Sequence, residues 1–206
     1  MSQPYDRLAI CPAPIQPDAR LKEWWVENPW MIAAKGKSLS GYERNRVYLN
    51  SAGREFHEIS GLTGGADSDG DGRSVVASDL NGDGLEDLLV RQAGGGALLY
   101  FHNGLPKTRW LEVTLRGGRS NALGIGARLV AKVGARQIVR ENFPQNGFKS
   151  QGPAHVHFGL GAAAKIDKLT ITWPSGLVQE LTDVPLDRHI VVKEGEPQIG
   201  GFGDAR

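Results

Sequence analysis

Ser74-Val75-Val76-Ala77-Ser78-Asp79-Leu80-Asn81-Gly82-Asp83-Gly84-Leu85-Glu86-Asp87-Leu88-Leu89-Val90 reads as strand, loop, strand. Its two short apolar runs are bounded by turn-forming residues rather than by helix caps. Counting from Asp79, oxygen-bearing side chains fall at positions 1, 3, 5 and 9 of the loop and glycine at position 6. Alternate residues of a tight loop converge on one point. Asp79, Asn81 and Asp83 therefore offer side-chain oxygens, Leu85 offers its carbonyl, and Asp87 closes the far side. Calcium takes roughly 6–8 oxygens in a flexible shell, whereas magnesium demands a stricter octahedron and keeps its waters. An EF-hand needs a glutamate at position 12, where this chain has Val90, and flanking helices, where it has strands. The same residue types also build metal-free hairpin turns, but carboxylates at these offsets then repel one another without compensation. The expectation is a calcium loop between strands.

A second loop just upstream, Asp67-Ser68-Asp69-Gly70-Asp71-Gly72, has acids at its positions 1, 3 and 5 and Val75 at the ninth. Lacking its own closing carboxylate, Asp67, Asp69 and Asp71 read either as a weaker metal loop or as a solvated turn.

The chain has 206 residues, enough for one large or two small domains with a real core. Its net charge of +1 gives no reason to expect a nucleic-acid partner. The charge is unevenly spread. Residues 67–87 hold seven acidic side chains against Arg73 alone, and residues 116–150 hold seven basic ones against Glu141 alone. The basic stretch reads as a solvated sheet face or as a surface for an anionic partner. Twenty-eight glycines point to many turns between short strands. Cys11 is the only cysteine, so no internal disulfide forms. No apolar run approaches the length of a membrane-spanning helix, and Met1–Ile10 lacks the apolar core of a signal peptide.

Prolines punctuate residues 1–23, which read as an extended arm. Trp24, Trp25 and Trp30 follow as a cluster that either packs in a core or presents a stacking platform to a ligand. From residue 45 onward short strands alternate with turns. Asn45–Asn50 and Arg54–Ile59 flank a glycine-containing hairpin loop. Trp110–Leu115 alternates, with Leu111, Val113 and Leu115 on one face. Further strands are expected at 85–92, 97–103, 127–133, 137–142, 156–160, 168–173, 178–181 and 189–193. Phe158, Leu160, Leu169, Ile171 and Trp173 read as core. No segment keeps a helical period, so the fold class is all-β, of sandwich or barrel type.

Catalytic signatures are sparse. Gly124-Ile125-Gly126 lacks the third glycine of a dinucleotide loop and leads into a strand. There is no nucleophile elbow and no paired-histidine zinc helix. His155 and His157 share a strand face, but two imidazoles alone are an incomplete metal set.

Four blocks carry a resemblance: Arg119–Arg128, Ser150-Gln151, His157-Phe158-Gly159-Leu160-Gly161 and Trp173-Pro174-Ser175-Gly176. In this order they resemble the ASPIC/UnbV domain that ends proteins similar to cartilage acidic protein. Upstream, Asp79–Val90 and Asn45–Phe56 resemble FG-GAP/VCBS repeats, the calcium-bearing units of integrin-type β-propellers. The resemblance implies a partial propeller-type sheet unit followed by a β-sandwich or barrel-like domain. The segments expected are an arm at 1–44, the repeat at 45–107, the ASPIC/UnbV-like domain at 108–195 and a flexible tail at 196–206.

By the same resemblance the protein is extracellular or envelope-associated, is not an enzyme, uses Ca2+, and recognises a glycan or protein without membrane insertion. Asn121, Arg128 and the three tryptophans are candidate ligand contacts, with turn-capping the alternative for Asn121. Two other readings stand beside this one. One is a biosynthetic or catalytic protein whose pocket gathers His155, His157, Arg128 and Asn121. The other is a structural cap on a larger propeller, for which one repeat leaves unpaired sheet edges.

Overall fold

The computed structural model describes residues 44–51, 53–68, 70, 72–92, 97–145 and 147–201, together with the single positions 20, 31 and 34. Among the described residues thirteen strands make up nearly all of the regular structure, and a 3-10 turn lies at Ser60–Leu62. The chain divides into two compact units, Met1–Ser74 with Val90–Leu99, and Val75–Leu89 with Tyr100–Arg206. The division falls within β3 (Gly72–Ser78), β4 (Asp87–Gln92) and β5 (Leu98–Phe101), which form a three-stranded sheet in that order.

In the first unit, β1 (Tyr48–Ser51) and β2 (Glu55–Glu58) form an antiparallel ribbon. Gly53 supplies the left-handed backbone its turn requires, at φ 74°. Buried Ser60 clips the ribbon, its hydroxyl accepting from the Val47 N–H at 2.8 Å.

The second unit contains two four-stranded sheets. One has the order β11 (Val178–Leu181), β10 (Lys168–Thr172), β7 (Arg128–Val133), β8 (Arg136–Glu141). The other runs β13 (Ile199–Gly201), β12 (Arg188–Lys193), β6 (Arg109–Arg116), β9 (His155–Gly161). Among the described residues no sheet closes on itself, so the domain is a sandwich. Alternation along the strands builds its core. Leu111, Val113 and Leu115 of β6 meet Val156, Phe158 and Leu160 of β9 and Leu129, Ala131, Leu169 and Ile171 of the facing sheet. Trp173 is the largest buried side chain among the described residues, and its indole N–H is satisfied by Gln179 Oε1 at 3.0 Å. Gly124, at φ 62°, lies so close to this core that a Cβ there would sit 2.8 Å from Leu115.

Three expectations change. Residues 199–201 are not part of a flexible tail but the edge strand β13, paired with β12 through Ile190, Val191 and Val192; residues 202–206 lie outside the described residues. The basic stretch is not one solvated face, because β8 is an edge strand whose side chains alternate. Arg136 and Arg140 donate to the Leu160 and His157 carbonyls of β9 at 3.3 and 3.2 Å, and the Arg140 guanidinium lies 5.9 Å from the Phe158 ring centre. Finally, β6 is buried on both faces: Glu112 and Thr114 keep only 7% and 4% of their exposure.

Candidate functional site

The Asp79–Asp87 loop is wound around its first residue. Asp79 Oδ1 accepts from the Gly82 and Asp83 N–H groups at 2.7 and 3.1 Å, and Oδ2 accepts from Gly84 at 2.7 Å. Gly82 and Gly84, at φ 75° and 88°, make this winding possible. Asn81 Oδ1 accepts from the Asp83 N–H at 2.9 Å, and Asp83 Oδ1 from the Leu85 N–H at 2.9 Å. Asn81 and Asp83 thus each cap a main-chain donor two residues on, the usual Asx-turn chemistry. Asp79, Asn81 and Asp83 each offer side-chain oxygen, the donor a hard cation takes, while the Asn81 amide N–H also donates to Asp83 Oδ2 at 3.3 Å.

Asp87 behaves differently. Its side chain is buried, and both oxygens are engaged by the Asn103 N–H (2.8 Å), the Tyr100 hydroxyl (3.0 Å), the His102 ring (3.2 Å) and the Leu80 N–H (3.4 Å). Burial pushes its carboxyl up, but the bonds from Asn103 and Tyr100 outweigh that and hold it below the ordinary range. Asp87 therefore ties the loop to residues 100–103, and ligating an ion means exchanging one of those partners.

The loop rests on the outer face of the β9/β6 sheet. His157 Nε2 lies 3.0 Å from the Gly84 carbonyl, and Glu86 faces the same imidazole at 3.8 Å. A Cβ on Gly84 would fall 2.1 Å from the Trp110 indole nitrogen, so only glycine allows this approach. Trp110 and His157 stack, with ring centres 6.3 Å apart. Beside them is a depression of about 480 Å3 lined by Asp83, Lys107, Arg109, Trp110 and Asp187, among others.

In the second acidic loop, Asp67 is paired with Arg44 at 3.0 Å, while Asp69 and Asp71 lie outside the described residues. So do Trp24, Trp25 and Trp30. Asn121 is a turn clip, since its amide both accepts from and donates to the Ile125 main chain at 2.8 Å. Arg128 is exposed on β7. The four side chains required by the biosynthetic reading are not brought together: His155 and His157 belong to β9 in one sheet, Arg128 to β7 in the other, and Asn121 to a turn.

Sequence reasoning missed two polar clusters. Glu194 Oε2 accepts three successive N–H groups, from Gly118, Arg119 and Ser120, at 2.8, 2.8 and 2.7 Å. Its Oε1 accepts from the Ser120 hydroxyl at 2.9 Å and from Ser175. Partial burial pushes this carboxyl up, but the Ser120 N–H and the other donors hold it down to about 2. The second cluster is Glu112 with His155 and His189. Burial pushes Glu112 up as well, and the imidazoles hydrogen-bonded to it bring it down to about 2. The one signal for it in the sequence was a carboxylate in the middle of a strand whose neighbours Leu111 and Val113 are apolar.

The fold and loop define a two-part, all-β protein with an oxygen-rich loop seated on a sandwich. Known families match both parts. The ASPIC and UnbV family model matches residues 117–199, and the FG-GAP-like repeat matches residues 32–90. The chain carries an ASPIC/UnbV domain preceded by an FG-GAP-like repeat. Strand β6, in the middle of its sheet, precedes the first of these matches. No curated protein matches the chain. The two domains point to a β-rich binding module of the kind found in extracellular proteins, and no described helix is long and apolar enough to cross a membrane.

Proposed function

We propose that this chain is a non-catalytic, calcium-stabilised module that recognises an extracellular glycan or protein. The observation that carries this reading is the seat of Gly84 on Trp110 and His157. Through that contact, order in the Asp79–Asp87 loop is coupled to the surface of the sandwich. Asp79, Asn81, Asp83 and the Leu85 carbonyl would hold the ion, with Asp87 closing the set. When bound, calcium neutralises the carboxylates and replaces their mutual repulsion with a rigid shell. The chain's own residues then do the recognising. Trp110 offers a flat apolar face, and Asp83, Arg109 and Asp187 supply polar groups around the same depression.

Melting the protein in EDTA and again after adding calcium tests the metal. A fall of several degrees that calcium reverses supports it, and an unchanged curve with no ion in metal analysis defeats it. A glycan array with and without calcium, run alongside Trp110→Ala, tests the surface. Binding that ignores both calcium and Trp110 would refute the assignment.

A further inference from the structure

Three titratable side chains that the calcium loop does not use meet on the outer face of the β12/β6/β9 sheet. Glu112 stands on β6, His189 opposite it on parallel β12, and His155 on antiparallel β9. Glu112 Oε1 is 2.7 Å from His155 Nε2, and Oε2 is 2.9 Å from His189 Nδ1. One donor atom from each residue lies within 4.8 Å of the other two, and among the described residues no other three His, Cys, Asp or Glu side chains gather in this way. All three are largely enclosed, with side-chain exposures of 9%, 19% and 15% for Glu112, His155 and His189.

Two imidazole nitrogens and one carboxylate oxygen form a three-ligand set typical of zinc and neighbouring divalent transition metals, with water completing the shell. Calcium, which needs many oxygens, has no use for it. The donors come from three hydrogen-bonded strands, so the sheet itself fixes their spacing. A supporting contact is also in place: His189 Nε2 lies 2.7 Å from the Thr114 hydroxyl, which holds the ring with Nδ1 turned toward Glu112. Ligands about 2.0–2.1 Å from a tetrahedral ion sit about 3.3 Å apart. The two Glu112 contacts, at 2.7 and 2.9 Å, would open to reach that spacing, and the two imidazole nitrogens already lie within 4.8 Å of each other. The geometry points to Glu112, His155 and His189 as a zinc-class metal site separate from the calcium loop.

Titrating the untagged full chain with Zn2+, in the presence of saturating calcium, tests this. One equivalent should bind, and the imidazole resonances of His155 and His189 should shift while those of His57 and His102 do not. Glu112→Gln and His155→Gln should each weaken binding by at least about tenfold, Thr114→Val by a similar or smaller factor, and His57→Gln not at all. The resonance shifts are read on the unmodified protein, so the site is tested even if a variant fails to fold. Absence of saturable binding overturns the site, as does binding that Glu112→Gln and His155→Gln leave intact or that moves only the other histidines. Because calcium is saturating throughout, loss of the calcium reading would leave this result standing.

Discussion

The β1–β2 ribbon and the β6–β9 pair are both antiparallel and both carry aromatic and leucine side chains, yet they bury very different amounts of surface. In the ribbon every strand residue is exposed, Phe56 at 68% and Leu49 at 54%. In β6, Leu111 through Leu115 are buried without a break. β6 is hydrogen-bonded along both edges, by β12 and β9, and each ribbon strand, among the described residues, along one, but backbone pairing does not by itself bury side chains. The difference is a second layer: the sandwich sheets each cover the other's apolar face, whereas an isolated two-stranded ribbon is marginal in water. Pairing makes a strand, and layering makes it stable.

The sharpest way to break this comparison is to truncate one aromatic side chain on each side of it. Trp173→Ala should cost about 3–5 kcal/mol in urea unfolding, since it opens a cavity in the core. Phe56→Ala should stay within about 0.5 kcal/mol, as for other exposed positions. Equal losses would mean that the ribbon is covered in solution.

Calcium removal should come next, and it should act on the sandwich side. At a calcium concentration one hundred times the dissociation constant, the ion contributes about 2.7 kcal/mol. Asp79→Asn should abolish the calcium-dependent part of the melting temperature; a variant that still responds fully to EDTA would place the ion elsewhere.

Gly84→Ala combines a left-handed backbone with a collision against Trp110 and should cost about 1–3 kcal/mol. Gly82→Ala shares the positive φ but has open space around it, so it should cost less. If the two cost the same, contact with Trp110 contributes nothing.

The smallest effect concerns pH. Glu194 is held at about 2 in the fold against an ordinary 4.5. A depressed carboxyl contributes stability that is fully present above pH 4.5 and is lost as pH falls through about 2. Glu194→Gln should flatten the acid limb of the stability curve in that window, leaving the share that Glu112 contributes there. An acid limb identical to that of the parent would show that the Gly118–Ser120 cradle adds no stability.

The strands of the sandwich were legible because alternation is a local property. Leu169, Ile171 and Trp173 declare a buried face wherever their strand ends up, and Phe158 and Leu160 do the same. The turns of the Asp79 loop were legible for a similar reason, since an Asx side chain reaches only its own neighbours. Glu112 was not legible. On its strand it occupies an alternate position that ordinarily faces water, and nothing local shows that His155 and His189 arrive beside it. Arg136 and Arg140 read as solvated charge because only the placement of β8 at a sheet edge turns them onto the carbonyls of β9. Ile199-Gly200-Gly201 has almost no strand propensity, and it became β13 because β12 offered it an open edge.

The sequence by itself determined where most strands and turns fall, which faces are apolar, and which oxygens the Asp79–Asp87 loop presents, because each depends on residues a few positions apart. Only the tertiary structure decided what those faces meet. Strand order and register placed Glu112 between two histidines, set Glu194 in the cradle of Gly118–Ser120, and laid Gly84 on Trp110. Such pairings depend on which distant strands become neighbours, and no local pattern records that choice.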